Sequence, residues 1–157
     1  QFDAGKARIY GLEAFVAHEQ RVGAFRVPVS AAYTLTYGEF LNDFTSQDPI
    51  YGVVRKGDEL PYIPLNQLNV TLAVEHRRAG INGAFNYVAG NVAIERAVAT
   101  DEQVWLDLGG YVNVSRWLRV YTNLRNAFGA ENIVGRRPYG ARVNAPRWLQ
   151  VGLKFQF

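Results

Sequence analysis

The chain has 157 residues, 48% hydrophobic and 13% aromatic, which is long enough for one folded unit and too apolar for a disordered chain. Its 17 Lys and Arg against 14 Asp and Glu leave a formal charge of +3, with the arginines spread along the sequence, which argues against a nucleic-acid partner. Without Cys there is no disulfide framework or thiolate metal site, and without a run of 18 apolar residues there is no transmembrane helix.

The first element, KARIYGLEAFVAH (6–18), sets Tyr10, Leu12, Ala14 and Val16 against Ile9, Gly11, Glu13 and Phe15. That period of two predicts a strand, followed by a short turn near residues 19–23. In AFRVPVSAAYTLTYGEF (24–40), Phe25, Val27, Val29, Ala31, Tyr33, Leu35 and Tyr37 form one face, while Arg26, Ser30, Thr34 and Thr36 form the other. The run is longer than the roughly 9–11 residues that a tilted strand needs to cross a bilayer. Pro28 inside it has no N–H for the ladder and predicts a bulge or local distortion. A long connection at 41–64, holding four Asp or Glu and Phe44, Tyr51 and Tyr62, leads to LNQLNVTLAVEH (65–76). There Leu68, Val70, Leu72 and Val74 alternate with polar or small residues. After a short turn comes GINGAFNYV (80–88), then a long connection at 89–102. QVWLDLGGYVNVS (103–115) and WLRVYTNLRNAF (117–128) repeat the alternation across a very short turn. A third long connection, 129–145, precedes the terminal strand, in which Leu149, Val151, Leu153, Phe155 and Phe157 share one face.

About seven strands result, joined by short and long connections in strict turn. The fold class is therefore all-β, an antiparallel up-and-down sheet with short turns at one end and long loops at the other. Outer-membrane barrels have this design, with an apolar face toward lipid and a polar face toward a wet lumen. Only helices and closed barrels span hydrocarbon, because every backbone polar group there needs a partner. A soluble β-sandwich, with the apolar set in its core, and a passive porin-like channel are the alternative readings. His18 and His76 fall on the apolar register near the short-turn ends, an interfacial placement more than a metal site.

The stretches GKARIYGLE (5–13), ELPYIP (59–64), TNLRNAFGAE (122–131) and RRPYGARVNAPRWLQVGLKFQF (136–157) resemble, in that order, the C-terminal end of a TonB-dependent outer-membrane receptor. The matching residues are Ala7, Arg8, Gly11 and Glu13; Leu60, Pro61 and Pro64; Asn123, Leu124, Asn126 and Phe128; and Gly140, Arg142, Pro146, Arg147 and Phe157. The resemblance implies a 22-stranded barrel with an N-terminal plug, placed in the bacterial outer membrane among its lipid and lipopolysaccharide. It implies import of a ferric siderophore, ferric citrate, haem, cobalamin or a similar scarce nutrient, driven by TonB. It also implies that Phe157, Phe155 and Leu153 form the C-terminal signal read by the barrel-assembly machinery. Seven strands, with neither plug nor TonB box, are expected to be the C-terminal portion of such a barrel, in a fragment or a split chain. The absence of an initiator Met and a signal peptide fits a processed chain or a piece of something longer.

Arg136, Arg137, Tyr139, Arg142 and Arg147 cluster in the last long connection. Together with Tyr51, the first four are the candidates for an external contact with an anionic ferric chelate, through charge-assisted hydrogen bonds and stacking. Loop solvation, lipopolysaccharide phosphate or local ion pairs explain the same arginines, and aromatic packing or a membrane-interface girdle explains the tyrosines. Asp43, Asp48, Asp58 and Glu59 do not follow a Ca²⁺-loop spacing. Asp107, Asn113, Arg119, Asn123 and Arg125 are expected to line the lumen. No catalytic set or phosphate loop stands out, so the sequence predicts a protein that is not an enzyme and calls for no cofactor or metal.

Overall fold

A computed structural model describes residues 5–47, 51–94, 98–136 and 140–156, and all regular secondary structure among them is β. The strands are β1 (Ala7–Val22), β2 (Phe25–Phe40), β3 (Phe44–Thr45), β4 (Val53–Val54), β5 (Asn66–Glu75), β6 (Ala79–Val88), β7 (Val92–Ile94), β8 (Val98–Ala99), β9 (Gln103–Asn113), β10 (Leu118–Arg125), β11 (Ile133–Gly135), β12 (Arg142–Val143) and β13 (Trp148–Phe155). Seven of them form one antiparallel sheet in the order β1-β2-β5-β6-β9-β10-β13. The other six make three two-stranded ribbons, β3–β4, β7–β8 and β11–β12, one inside each long connection. Short turns therefore lie at one end of the sheet and ribboned loops at the other, as the alternating connection lengths predict.

Register keeps the two faces separate across the whole sheet. Leu12 pairs with Leu35, Tyr33 with Leu68, and Val70 with Phe85. Phe85 then pairs with Leu106, Leu108 with Leu124, and Val120 with Leu153. A slip of one residue at any strand would turn its apolar set to the other side. On the opposite face Ser30 lies across from Thr71, Asn69 from Asn86 and Asn123 from Gln150. Phe15 and Ile9 are exceptions, exposed on the polar face of the edge strand β1.

Neither face is covered by a second layer among the described residues. Leu72 is 51% exposed, Ile81 66% and Val151 65%, so the sheet's apolar face forms no soluble-type core. The buried apolar side chains are Phe40 and Val54, at the loop end. Edges β1 and β13 do not pair with each other. The seven strands are an open segment of wall, consistent with the expectation that so few strands do not close the barrel on their own.

The polar face is assembled by two close fits. A Cβ on Gly80 would fall 2.5 Å from the Tyr111 ring, and one on Gly152 would fall 2.3 Å from the Tyr121 ring. Each tyrosine lies over the glycine that it faces across the ladder, so a side chain at either glycine would displace it. The guanidinium of Arg119 sits 4.1 Å from the centre of the Tyr111 ring, which stacks a cation on an aromatic already seated on glycine.

The structure refines several expectations. β1 runs to Val22 instead of ending at residue 18, and the first turn is only Gly23 and Ala24. Gln20 and Arg21 break the apolar period, yet their backbones are satisfied by pairing with Val27 and Arg26. Gly23 takes a φ of +59°, the conformation that a two-residue hairpin demands at its first central position. No bulge forms at Pro28. Pairing with β5 lapses at Val27 and Pro28 and resumes in the same register, while the ladder to β1 is continuous. The ribbon strands have two or three residues each, too short to show a period in sequence.

Candidate functional site

The loop end is built by folding each long connection back onto the strands it joins. Phe40 N–H donates to the Asp58 carbonyl at 2.9 Å, and Gly57 N–H donates to the Phe40 carbonyl at 2.8 Å, which closes the connection between β2 and β5 over the end of β2. Phe40, Phe44 and Tyr51 pack as an aromatic triangle, with ring centroids 5.3 to 6.2 Å apart. Tyr51, a candidate for ligand stacking, is thus half-buried in the packing of its own loop. Asp43 accepts from Lys56 N–H at 2.7 Å and Asp58 from Arg55 N–H at 2.9 Å, so both carboxylates bind turn backbone. Asp48 lies outside the described residues, and no group of three or more His, Cys, Asp or Glu among those described is placed to hold a metal ion.

The three loops are tied to one another. Tyr62 N–H donates to the Val92 carbonyl at 2.8 Å, which links the first loop to the second. Asp101 links the second to the third twice: its N–H donates to the Ile133 carbonyl at 2.9 Å, and its carboxylate accepts from Ile133 N–H at 2.6 Å. Arg136 donates from Nε to the Ala99 carbonyl at 2.9 Å and from its backbone N–H to the Tyr62 hydroxyl at 3.4 Å. One candidate ligand contact therefore also touches both other loops. Arg142 is exposed on β12 and pairs with Gly135, against which its guanidinium lies. Arg137 and Tyr139 lie outside the described residues. The ribbon β11–β12 thus places Arg136 and Arg142 on one hairpin, and Arg147 is exposed just before β13.

Asn126 was quoted in the sequence only as part of a motif, and the structure makes it the hub of the third loop. It is 4% exposed and holds a φ of +49°. Its side-chain amide donates to the carbonyls of Ala130 and Ala145 at 2.9 and 3.1 Å, and its Oδ1 accepts from Ala130 N–H at 3.0 Å. Its backbone N–H donates to Asp107 Oδ1 at 2.9 Å. Asn144 repeats the device, accepting from Asn132 N–H at 2.7 Å and donating to the Ala130 carbonyl at 2.9 Å. Asn tolerates the left-handed conformation and mimics a backbone turn, so an Asn just after a strand was the available signal.

The expected lumen residues do share the polar face, and four of them, Asp107, Asn113, Arg119 and Arg125, are paired. Arg125 bridges Asp107 at 3.0 Å, and Arg119 Nε donates to Asn113 Oδ1 at 2.7 Å. Arg26 pairs with Glu75 and, at 3.5 Å, with Glu19. Ser30 and Thr71 hydroxyls meet at 2.6 Å. On the apolar face, Tyr10 and Tyr37 pack 5.2 Å apart near the loop end, with the Arg8–Glu39 ion pair just beyond them. Phe25 and His76 pack 5.2 Å apart near the turn end, beside the apolar register on which His18 sits opposite Val29. Aromatic pairs at both margins of an apolar band match the girdles of a membrane barrel.

An antiparallel up-and-down sheet with one bare apolar face, one hydrogen-bonded polar face and loops gathered at one end is a segment of β-barrel wall. A solved structure of the copper transporter OprC matches 96% of this chain with a TM-score of 0.66 and 19% sequence identity. The match covers 24% of that transporter, so this chain spans about a quarter of its length. No protein-family model matches the chain, and no curated protein matches its sequence.

Proposed function

We propose that residues 1–157 are the C-terminal part of the barrel of a TonB-dependent receptor in the bacterial outer membrane. A plug and the preceding strands, in the same or another chain, complete it, and TonB acts through the plug side. The observation that carries this reading is the division of the sheet, in one register, into a bare apolar face and a hydrogen-bonded polar face, with all long loops at one end. The cargo is a scarce metal nutrient carried as an anionic complex, of the ferric siderophore or ferric citrate class. Arg136, Arg137, Tyr139 and Arg142 meet it from the third loop and Tyr51 from the first, by charge-assisted hydrogen bonds and ring contact. Likeness to a copper transporter supports metal import in general.

The test is uptake of radiolabelled ferric citrate and of a ferric siderophore by cells carrying the full-length protein. Saturable uptake abolished by a protonophore is expected, with a several-fold loss in the Arg136→Gln/Arg142→Gln double variant. Unsaturable uptake that ignores the protonophore would replace this reading with a passive channel. Coupled uptake untouched by the double variant would move the ligand contact away from the third loop.

A further inference from the structure

The arginines of the wall mostly have carboxylates: Arg8 has Glu39, Arg26 has Glu75 and Glu19, and Arg125 has Asp107. At the short-turn end Arg21 and Arg26 still have Glu19 and Glu75, but three other arginines differ. Arg77 and Arg78 in the β5–β6 turn and Arg116 in the β9–β10 turn are exposed and make no ion pair among the described residues. They are far apart in sequence but adjacent in space. Asn113 clamps the two turns together, donating from its side-chain amide to the Arg77 carbonyl and from its backbone N–H to the Arg78 carbonyl, both at 2.7 Å. Ser115 holds the second turn rigid by accepting from Trp117 and Leu118 N–H at 3.2 and 3.1 Å. The three arginines and Arg119 line one open groove of about 810 Å³, which polar side chains and the aliphatic Val112, Val114 and Leu118 also border. Beside it, Trp117 stacks on Phe155 with centroids 6.1 Å apart and an interplanar angle of 13°.

A groove lined by arginines and by aliphatic side chains, with an aromatic pair in the adjoining turn and strand, fits a molecule with an anionic head and an apolar tail. We propose that Arg77, Arg78 and Arg116 bind the phosphodiester headgroup of an anionic glycerophospholipid, whose acyl chain runs along Val112, Val114 and Leu118. Guanidinium groups suit phosphate oxygens through paired N–H donors. Basic pockets at the membrane surface select anionic headgroups in this way. The short turns of an outer-membrane barrel face the periplasm, where the leaflet is glycerophospholipid. The inference rests on the membrane-barrel reading and adds to it a lipid class and a fixed position on the wall.

The experiment is native mass spectrometry of the full-length protein, purified in detergent and offered phosphatidylglycerol or phosphatidylcholine. Heat-modifiable gel migration is recorded for every sample. Wild type is expected to retain phosphatidylglycerol in preference to phosphatidylcholine, with retention falling as salt is raised. The Arg77→Gln/Arg78→Gln/Arg116→Gln variant is expected to lose it by roughly tenfold or more, about what one lost charge-assisted hydrogen bond gives. Arg116→Gln alone, leaving the first turn intact, is expected to show a smaller loss and serves if the triple variant does not fold. Equal retention by variant and wild type, or no preference over phosphatidylcholine, overturns the site while heat-modifiable migration still upholds the barrel. Full competition by glycerol phosphate at the lipid's own concentration would assign the arginines to free phosphate and overturn the lipid proposal. A protein that neither enters the membrane fraction nor shows heat-modifiable migration would overturn the barrel reading itself.

Discussion

The two ends of the sheet solve opposite problems. At the loop end, three long connections carry many backbone polar groups away from any extended ladder, and side-chain amides and carboxylates bind them: Asn126, Asn144, Asp58 and Asp101 each accept from or donate to loop backbone. At the turn end, connections of two to four residues need few such partners, and the side chains there are left to face outward. Arg77, Arg78 and Arg116 make no ion pair among the described residues, where Arg136 is drawn to a loop carbonyl. Polar side chains hold the connections at both ends, Asn126 and Asp101 at one and Asn113 and Ser115 at the other; the difference is that three exposed arginines of the turns make no ion pair among the described residues.

Three substitutions sharpen that contrast. The largest effect is expected on the apolar face between the ends. Leu72→Arg should cost about 2–4 kcal/mol in lipid if Leu72 lies near the bilayer midplane, measured by denaturant titration of the protein folded in vesicles. Unchanged stability would mean that this face does not meet hydrocarbon. Next comes the loop end, where Asn126→Ala removes three side-chain hydrogen bonds and leaves a non-Gly, non-Asn residue at positive φ. A loss of about 1–3 kcal/mol is expected, together with faster proteolytic nicking within residues 126–147. Nicking at the wild-type rate would show that the third loop is held by other contacts. The smallest effect is expected on the polar face. Arg125→Gln breaks the bridge to Asp107, in which the arginine side chain is 58% exposed, and should change stability by only about 0.2–1 kcal/mol. A larger loss would indicate that this pair is shielded from water.

Much of the wall was legible in the sequence, because apolar and polar side chains alternate along the strands with a period of two. The assignment of Tyr33, Leu72, Phe85, Leu106 and Val120 to one face needed no partner strand, and the register then aligned all of them. The alternation of short and long connections gave the two ends. The terminal signal proposed for Leu153, Phe155 and Phe157 is less fully covered: Leu153 and Phe155 lie on the apolar face of β13, and Phe157 is outside the described residues. The site was less legible than the wall. For Tyr51 the sequence left ligand stacking, loop packing and a membrane girdle open, and the structure packs it against Phe40 and Phe44. Arg136 looked like one charge among several, and the structure sets it between three loops.

The sequence by itself determined what depends on near neighbours: strand type, face, turn length, and the absence of thiol chemistry. Only the tertiary structure decided which loops touch, that β1 and β13 remain edges, that Asn126 is a hub, and that Arg77, Arg78 and Arg116 share one groove. The physical reason is distance along the chain. A period of two is written in consecutive residues, whereas the β6–β9 pairing brings together turns whose arginines are separated by two wall strands and the ribboned loop between them, and no local pattern records that meeting.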